Sequence, residues 1–390
     1  MRKRMTGMLG ALAVSSLMLA ACSSGASTTT SSSAAPTDTA ASSAAPSSAA
    51  PSSSAPAAGG VGVGVILPDS ASSARWETAD RKYLTAAFGA AGIKADIQNA
   101  GGDKAKFQTL ADQMINEGVK VILMANLDSD TGSAVIKKAT AAGIKVIDYD
   151  RLTLGGGAAF YVSFDNEAVG KLQGEGLKTC LDAAGKTTAN IVYLNGSPTD
   201  NNATLFKQGY DSVLRPLITA GKYKLVADQS VPDWDNTKAG TIFEQIFNTA
   251  NGKIDGVAAA NDGLGGAVIA VLKRNGLNGR VPVTGQDATD EGLQRVLAGD
   301  QCMTVYKAIK KEADAASALA IAIIQGKDTA GLATGKTMDS KTKADVPSVL
   351  LIPQAIFKAQ VKDVIADGFT TKDKVCIASV AAACAANGIS

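Results

Sequence analysis

The sequence predicts an α/β fold of doubly wound layers, with one sheet in each half of the globular region. From residue 61 onward, short runs of apolar and β-branched residues alternate with longer segments of helical pattern. The short runs are apolar throughout, which is typical of parallel strands that helices bury on both faces. Because seven such strands with their helices exceed one comfortable core, we expect two sheets.

Strands and helices follow one another in a regular order along the chain. The predicted strands lie at 61–67, 119–124, 145–148, 191–194, 224–226, 256–260 and 281–284. The predicted helices lie at 76–91, 104–117, 131–142, 166–181, 202–220, 236–250, 263–275 and 289–298. Glycines punctuate these units where a helix C-cap often requires a positive φ. They are Gly92, Gly118, Gly143, Gly185, Gly221, Gly252 and Gly276.

The first 21 residues have the pattern of an export signal peptide. Arg2, Lys3 and Arg4 supply a positive start, and residues 8–21 form an apolar segment of small residues. The segment ends in Leu-Ala-Ala before Cys22, which resembles a lipobox whose cysteine is diacylated. The alternative is an ordinary secretory signal that is cut after an Ala-x-Ala site. Since two acyl chains suffice for stable membrane attachment, the lipobox predicts a protein anchored to the cell membrane outside the cytoplasm.

Residues 22–60 comprise the lipidated cysteine and a linker. From residue 23 onward, the linker consists almost wholly of Ser, Thr, Ala, Pro and Gly, with Asp38 as its only charge. Such a segment cannot bury enough apolar surface to offset its ordering entropy, so we expect it to be disordered. As a flexible coil it would span roughly 35 Å, which lifts the globular part clear of the bilayer.

Composition and charge exclude several classes of function. The formal net charge is +2, and removal of the signal with its three cations leaves 2 − 3 = −1. No basic stripe indicates nucleic-acid binding, and no second apolar run is long enough to span a membrane. The chain has no histidine, which excludes histidine-based catalytic triads and most zinc sites. We therefore expect no catalytic residues, no metal and no cofactor.

Four cysteines besides Cys22 make an even number in an oxidising compartment. Cys376 and Cys384 close a short loop near the C-terminus and are the favoured disulfide pair. A bond between Cys180 and Cys302 would require a tertiary contact that the sequence does not reveal. The alternative for these two is that they are small buried hydrophobic residues.

Polar side chains follow nearly every predicted strand, at the carboxyl end where open parallel sheets bind ligands. These segments are Pro68-Asp69 leading to Arg75-Trp76, Asn126-Leu127-Asp128, Asp150-Arg151, Asp200-Asn201-Asn202, Trp234, Asn261-Asp262 and Gln286-Asp287. Any single Asp or Asn at such a place can instead be a helix N-cap, but arginine and tryptophan cap nothing. Planar polar groups can hold vicinal hydroxyls in pairs, and an indole can cover the C–H surface of a pyranose. The pattern therefore indicates a carbohydrate ligand.

Two glycine-rich segments make a nucleotide-binding site an alternative to a sugar site. Gly60, Gly62 and Gly64 lie before and inside the first strand, whereas a dinucleotide-binding loop must follow a strand. The Gly-Leu-Gly-Gly segment at 263–266 does follow a strand and opens a helix. It lacks the complete fingerprint and the later acidic residue, so a nucleotide ligand is not favoured.

Long motifs occur in order along the globular region, at 148–151, 160–167, 196–203, 260–262, 285–288 and 303–307. These motifs closely resemble the D-xylose-binding members of the ribose/galactose-binding group of periplasmic binding proteins, which feed ABC importers. The resemblance extends over about residues 61–371. It implies two Rossmann-like lobes of the type I periplasmic binding protein fold, joined by three hinge crossovers, with the sugar in the cleft.

The resemblance also implies a set of sugar contacts, carried over motif by motif. The cationic residues would donate hydrogen bonds, the carboxylates and amides would hold paired hydroxyls, and an indole would stack on the sugar. The contacts are Arg75, Trp76, Asp150, Arg151, Asn202, Trp234, Asn261, Asp287 and Lys307. We expect Trp234 to face the cleft rather than a core. The loop 68–74 differs from the more acidic version in the family.

The lobe boundaries follow from the crossovers that the resemblance places near 161–164, 303–306 and 348–351. Lobe one would comprise 61–161 plus 307–347, and lobe two would comprise 162–304 plus 348–375. Residues 376–390 would form a C-terminal extension. Three passages between the lobes form a hinge, and closure on the ligand is the motion that the family implies.

The sequence thus predicts a monomeric, lipid-anchored receptor that captures a monosaccharide, D-xylose above others, and delivers it to the permease subunits of an ABC importer. Two alternatives are a sugar sensor for a membrane signalling partner and a receptor for another aldose, such as glucose or ribose. A glycoside-cleaving enzyme would need a protonated carboxylic acid. Since arginine neighbours would keep Asp150 and Asp287 ionised, we expect no enzymatic activity.

Overall fold

The computed structural model describes residues 60–389. The predicted signal peptide at 1–21, the predicted lipidation site Cys22 and the predicted linker up to residue 59 lie outside the described residues. No helix between residues 60 and 389 is long and apolar enough to cross a membrane.

Strands and helices alternate through most of the described range, as the sequence predicts. In chain order the strands are β1 (Val63–Leu67), β2 (Ala95–Asn99), β3 (Val121–Met124), β4 (Lys145–Tyr149), β5 (Phe160–Phe164), β6 (Ala189–Asn195), β7 (Tyr223–Ser230), β8 (Gly256–Ala259), β9 (Thr304–Tyr306), β10 (Gly335–Met338), β11 (Asp345–Leu351) and β12 (Gln354–Ile356). The α-helices are α1 (Arg81–Ala90), α2 (Lys104–Asn116), α3 (Ser129–Ala141), α4 (Asn166–Ala183), α5 (Asn201–Thr219), α6 (Asn236–Thr249), α7 (Asp262–Arg274), α8 (Asp290–Ala298), α9 (Ile309–Ile324), α10 (Val361–Ala366), α11 (Lys372–Val375) and α12 (Ala381–Ala386).

The larger sheet has seven strands in the order β10-β11-β5-β4-β3-β1-β2. Its pairs are parallel apart from the edge pair β10–β11, which is antiparallel. The sheet is therefore mixed. The predicted strands within it pair in parallel as expected, and the antiparallel pair consists of two strands that the sequence did not predict. A short loop joins β10 to β11, and such a loop suffices for antiparallel neighbours, whereas parallel neighbours need a longer crossover.

Helices bury both faces of the larger sheet. On β1, Val63 and Val65 pack in one cluster with Phe88 of α1 and residues of α9. Ile66 of the same strand packs in another cluster, with Phe107 of α2 and residues of α3. Successive side chains of a strand point to opposite faces, so this apolar run is buried from both sides.

The smaller sheet has three parallel strands in the order β7-β6-β8. The predicted strand at 281–284 is reduced to a single parallel bridge between Val283 and Val257. Pro282 contributes only its carbonyl, which accepts from the amide of Val257, because proline has no N–H for a ladder. Strands β9 and β12 form a separate antiparallel pair.

The chain leaves the larger sheet at the ends of β5 and β11. These strands remain paired as far as Phe164 and Leu351, a few residues beyond the predicted lobe boundaries at 161/162 and 347/348. The predicted passage near 303–306 contains β9. Because β9 pairs with β12, which follows β11, this passage lies beside the chain that leaves the larger sheet after β11.

Both disulfide bonds form among the four cysteines. Cys376 and Cys384 are bonded with a Cα–Cα distance of 5.9 Å, which confirms the favoured pair. Cys180 of α4 is bonded to Cys302, with a Cα–Cα distance of 6.3 Å across a sequence separation of 122. The alternative that these two cysteines are unpaired hydrophobic residues is therefore wrong.

Candidate functional site

One cavity between the two sheets gathers the predicted ligand contacts. All nine side chains lie on its wall: Arg75, Trp76, Asp150, Arg151, Asn202, Trp234, Asn261, Asp287 and Lys307. The wall also contains residues outside the predicted set, namely Ser72, Ser73, Asp200, Phe206 and Gln286. The empty volume between these side chains is about 320 Å³, part of it open to solvent.

Arg75 is fixed by acidic side chains on three sides. Its Nε and Nη2 donate to the two oxygens of Asp80, at 2.9 and 2.8 Å, in a bidentate pair. Its Nη1 donates to Oδ2 of Asp150 at 2.9 Å, and its Nη2 also donates to Oε2 of Glu312 at 2.8 Å. Because the planar guanidinium is held at fixed geometry, its remaining donor capacity is directed before any ligand arrives.

Asp150 stands at the centre of the charged network. Its Oδ2 lies 3.5 Å from Nζ of Lys307, and its Oδ1 accepts from Nδ2 of Asn202 at 3.1 Å. Burial alone would raise the pKa of Asp150, but Lys307, Arg75 and Arg151 outweigh it and lower the pKa below its ordinary value. Asp150 is therefore an ionised acceptor at neutral pH and cannot serve as a general acid.

The backbone at Asp150 is held in an uncommon conformation. Its φ is 63°, in the left-handed region that a residue with a side chain rarely adopts. The carbonyl oxygen accepts hydrogen bonds from Ser163 Oγ at 2.8 Å, from Tyr161 Oη at 3.1 Å and from Asn202 Nδ2 at 3.0 Å. These bonds turn the carboxylate into the cavity directly after β4, and strain of this kind is often found at ligand sites.

Arg151 and Asp200 connect the two halves across the cavity. Nε of Arg151 lies 3.1 Å from Oδ2 of Asp200, which also accepts from Nε1 of Trp234 at 3.1 Å. The other carboxylate oxygen of Asp200 accepts from the amide of Asn202 and caps α5. Asp200 is thus the N-cap of α5, one of the two roles that the sequence allows for it. It also orients the side chains of Arg151 and Trp234 in the cavity.

The two tryptophans occupy different surroundings. The Trp76 ring packs beneath both arginines, with its centroid 4.3 Å from Cζ of Arg75 and 5.4 Å from Cζ of Arg151. Trp234 is 5% exposed and belongs to the hydrophobic core of the second half, edge-on to Phe206. Trp234 does line the cavity, as expected. The expectation that it does not belong to a core is wrong, because the same indole packs in the hydrophobic core of the second half.

A small residue makes room for the Trp234 indole. A Cβ on Gly196 would overlap with the six-membered ring of Trp234. Trp234 itself has a φ of 56°, so its loop is bent sharply to insert the ring. Because Gly196 has no side chain, the indole of Trp234 can lie directly against the backbone that follows β6.

Asn261 and Asp262 are adjacent in the sequence but have different roles in the structure. Asn261 caps α7 through Oδ1, while its Nδ2 donates to the carbonyl of Ser72 at 3.2 Å in the opposite half. Asp262 is fully buried and accepts from Thr304 and Gln301, at 2.8 and 2.7 Å. Burial raises the pKa of Asp262 to about 6. Only Asn261 reaches the cavity that holds the predicted contacts.

Lys307 lies between two carboxylates from different elements. Its Nζ is 3.4 Å from Oδ1 of Asp287 and 3.5 Å from Oδ2 of Asp150. Asp287 has a φ of 98°, and its amide donates to the carbonyl of Val305 at 2.9 Å. The lysine therefore links the strand exits of both halves beside β9.

Glu312 is a buried member of the network that sequence reasoning missed. It lies on α9, and burial raises its pKa well above the ordinary value, despite the lowering effect of Arg75 and with further raising by Asp150 and Asp80. No local signal marks it, because it follows no predicted strand and lies in an Ala-rich helix. Its role follows only from the fold, which brings α9 beside the start of α1.

Comparison with known proteins places the chain in a well-populated family. Residues 63–328 match the family described as "Periplasmic binding protein domain". The chain is 38% identical over 296 residues to the "D-xylose-binding periplasmic protein" of Escherichia coli (strain K12), covering 76% of this chain and 87% of that protein. It is 34% identical over 320 residues to the "Multiple sugar-binding periplasmic receptor ChvE" of Rhizobium radiobacter, covering 78% and 89%.

Solved structures are similar in fold as well. A carbohydrate transporter solute binding protein from Chloroflexus aurantiacus, in complex with D-glucose, superposes with a TM-score of 0.73 at 27% identity. The match covers 80% of this chain and 97% of that one.

Proposed function

The chain belongs to the periplasmic binding protein family, and we propose that it captures a monosaccharide, D-xylose above others, and delivers it to an ABC importer. The observation that carries the proposal is the convergence of nine predicted contacts from both halves on one cavity. The identity of 38% to a protein named for D-xylose binding supports the choice of sugar. The two relatives and the structural neighbour named above are binding proteins rather than enzymes.

The chemistry of the cavity fits a small polyol better than an apolar ligand. Acidic side chains, arginines and carboxamides offer paired acceptors and donors for vicinal hydroxyls, and hydrogen bonds to a charged partner such as Asp150 are the strong ones. A pentose has about ten heavy atoms, so micromolar binding requires roughly −0.8 kcal/mol per atom, within the ceiling for small ligands. A binding free energy of this size per atom requires polar groups that are enclosed and already oriented. The buried hydrogen-bond network around Asp150 is such a set of groups.

We also propose that the ligand is enclosed by hinge closure of two lobes. Lobe one would comprise 61–161 plus 307–347, and lobe two would comprise 162–304 plus 348–375. The ends of β5 and β11 stay paired in the larger sheet beyond these boundaries. Hydrogen bonds from Asn202 to Asp150 and from Asn261 to the Ser72 carbonyl join the two halves. These bonds would break on opening, so ligand and inter-lobe contacts stabilise the same closed state.

The proposal includes membrane anchoring outside the cytoplasm. Cys22 would carry the diacyl anchor and residues 23–60 would form the tether, as their sequence predicts. Mass spectrometry of the membrane fraction tests this part separately, since a diacylglyceryl group on Cys22 supports it and an unmodified N-terminus elsewhere contradicts it.

Isothermal titration of the full chain against D-xylose, D-glucose, D-ribose, L-arabinose and D-galactose tests the function. We expect D-xylose to bind at least tenfold more tightly than ribose or arabinose, because a misplaced hydroxyl leaves a buried partner unpaired, at about 1–3 kcal/mol. Tightest binding of ribose or galactose would contradict the choice of sugar. If none of these sugars binds, the proposal that the protein captures a monosaccharide is contradicted.

A sensor that reports sugar occupancy to a membrane signalling partner is a second candidate. The observation that favours it is the 34% identity to a protein whose name contains the word receptor. The same cavity would serve both roles, so sugar binding does not separate them. Loss of D-xylose uptake on deletion of the gene supports import, whereas unchanged uptake with a lost transcriptional response to xylose supports the sensor.

A further inference from the structure

Two neutral polar atoms on the cavity wall have no hydrogen-bond partner within residues 60–389. Gln286 is only 4% exposed, and its Oε1 is buried without a hydrogen bond. The Oγ of Ser73 is likewise buried and unpaired. Both residues line the cavity that holds the predicted contacts. Since native structures rarely leave buried polar groups unpaired, these two are candidates to contact a ligand.

Other unpaired atoms of the same wall differ from these two. Oδ1 of Asp287 has no hydrogen bond but lies 3.4 Å from Nζ of Lys307. Nε of Arg151 has none either but lies 3.1 Å from Asp200. These atoms have a charged neighbour, whereas Ser73 Oγ and Gln286 Oε1 are neutral groups with neither an ion pair nor a hydrogen bond.

The wall at Ser73 adjoins a second cavity. This second cavity has an empty volume of about 700 Å³, part of it open to solvent, and shares Ser72, Ser73 and Asp287 with the first. Gln286 directly precedes Asp287 in the sequence. Ser73 lies at the edge that the two cavities share, whereas Gln286 lines only the first cavity. A ligand in the first cavity therefore has room to extend a substituent past Ser73.

We propose that Ser73 and Gln286 form a subsite for a hydroxymethyl substituent on the sugar ring, so that the cleft accepts an aldohexopyranose such as D-glucose as well as D-xylose. The inference rests on the proposed function. The predicted cations, carboxylates and asparagines already provide partners for the ring hydroxyls. A carboxamide and a hydroxyl can each both donate and accept, which suits one rotatable hydroxyl group. D-glucose differs from D-xylose by this one group.

Isothermal titration of the full chain with D-xylose, D-glucose and 6-deoxy-D-glucose tests the subsite. The variants are Gln286→Met, which keeps the size of the side chain, and Ser73→Ala. We expect each variant to weaken glucose binding roughly tenfold and to change xylose binding by less than about twofold. 6-deoxy-D-glucose should bind the wild type and Gln286→Met equally. Thr78→Ala, at an exposed position shortly after the same loop and outside both cavities, is the control and should change neither affinity.

Three results would overturn the subsite. They are equal weakening of xylose and glucose, no weakening of either sugar, and a wild type that binds xylose but not glucose. A wild type that binds no sugar at all would instead contradict the proposed function. Melting of the unliganded variants shows whether they are folded, and Ser73→Ala carries the test alone if Gln286→Met does not fold.

Discussion

Arg75 donates a hydrogen bond from Nη2 to Oε2 of Glu312 at 2.8 Å, across a sequence separation of 237. Both side chains are buried. Arg75 lines the cavity, while Glu312 lies behind it on α9. Glu312 is thus a positioning residue, which holds the guanidinium at the orientation that faces a ligand.

Glu312→Ala should weaken D-xylose binding roughly tenfold, because Arg75 loses one of the three acidic side chains that accept its hydrogen bonds. Glu312→Gln keeps an acceptor for Nη2 and should bind xylose within about threefold of the wild type. Titration calorimetry of both variants checks this, with melting of the unliganded protein as the control for folding. Equal affinities of Glu312→Ala and the wild type would contradict the positioning role.

Asp148 should make the stability of the protein depend on pH. It is fully buried and accepts from the amide and hydroxyl of Thr153, at 2.6 and 2.7 Å. Burial raises its pKa from 3.8 to about 7, although Thr153 acts in the opposite direction. Between these values the folded chain retains a proton that the unfolded chain has lost, so the free energy of unfolding falls as pH rises.

The measurement is urea unfolding of the wild type and Asp148→Asn from about pH 4 to about pH 7.5. The free energy of unfolding of the wild type, relative to that of the variant, should fall by up to about 4 kcal/mol over this range, because each pH unit between the unfolded and folded pKa values contributes about 1.4 kcal/mol. Asp130→Asn on the surface is the control and should show no such trend. A constant difference between wild type and Asp148→Asn would contradict the raised pKa.

Trp234→Ala should impair both the unliganded fold and ligand binding. The indole is buried against Phe206 and donates to Asp200, so its removal should lower the free energy of unfolding by about 3–5 kcal/mol. Loss of the indole face should also weaken xylose binding by about 1–3 kcal/mol. Calorimetry of the free and xylose-bound variants measures both. An unchanged melting temperature without ligand would contradict the core role.

Removal of the two disulfide bonds should have unequal effects on stability. In the chain-entropy model, a bond across 122 residues, such as Cys180–Cys302, contributes about 5 kcal/mol, whereas Cys376–Cys384, across 8 residues, contributes about 2.5 kcal/mol. Denaturant unfolding of the paired Cys→Ala variants compares them. Because none of the four cysteines lines the cavity, xylose affinity should be unchanged in both. A larger loss from the shorter loop would contradict the expectation.

The sequence predicted strands such as β1 and β3, which are apolar on both faces, but it did not predict β5, although Phe160–Phe164 is almost wholly buried inside the sheet. It did not predict β2 or β10, because Ala95–Asn99 is only half-buried and Gly335–Met338 is mostly exposed. Edge strands receive their hydrogen bonds from a neighbour and need no apolar run. Likewise α9 was not predicted, although its buried face completes the larger core.

The candidate site was predictable to the extent that it follows strand ends. Asp150, Asn261 and Asp287 come directly after strands or the bridge at Val283, so their convergence follows from parallel sheet geometry. Glu312 and Gln286 were not in the predicted set. The role of Glu312 depends on its hydrogen bond to the distant Arg75, and that of Gln286 depends on the absence of a partner for its Oε1. Pairing of this kind is a property of the tertiary structure alone.

A crystal structure of the full chain grown with D-xylose would test the proposed sugar site by direct observation. We expect a pyranose in the cavity between the two sheets, with hydroxyls within hydrogen-bond distance of Asp150, Asn261 and Asp287 and with an indole against its C–H face. A sugar bound elsewhere, or a cavity that stays empty at saturating xylose, would contradict the proposal.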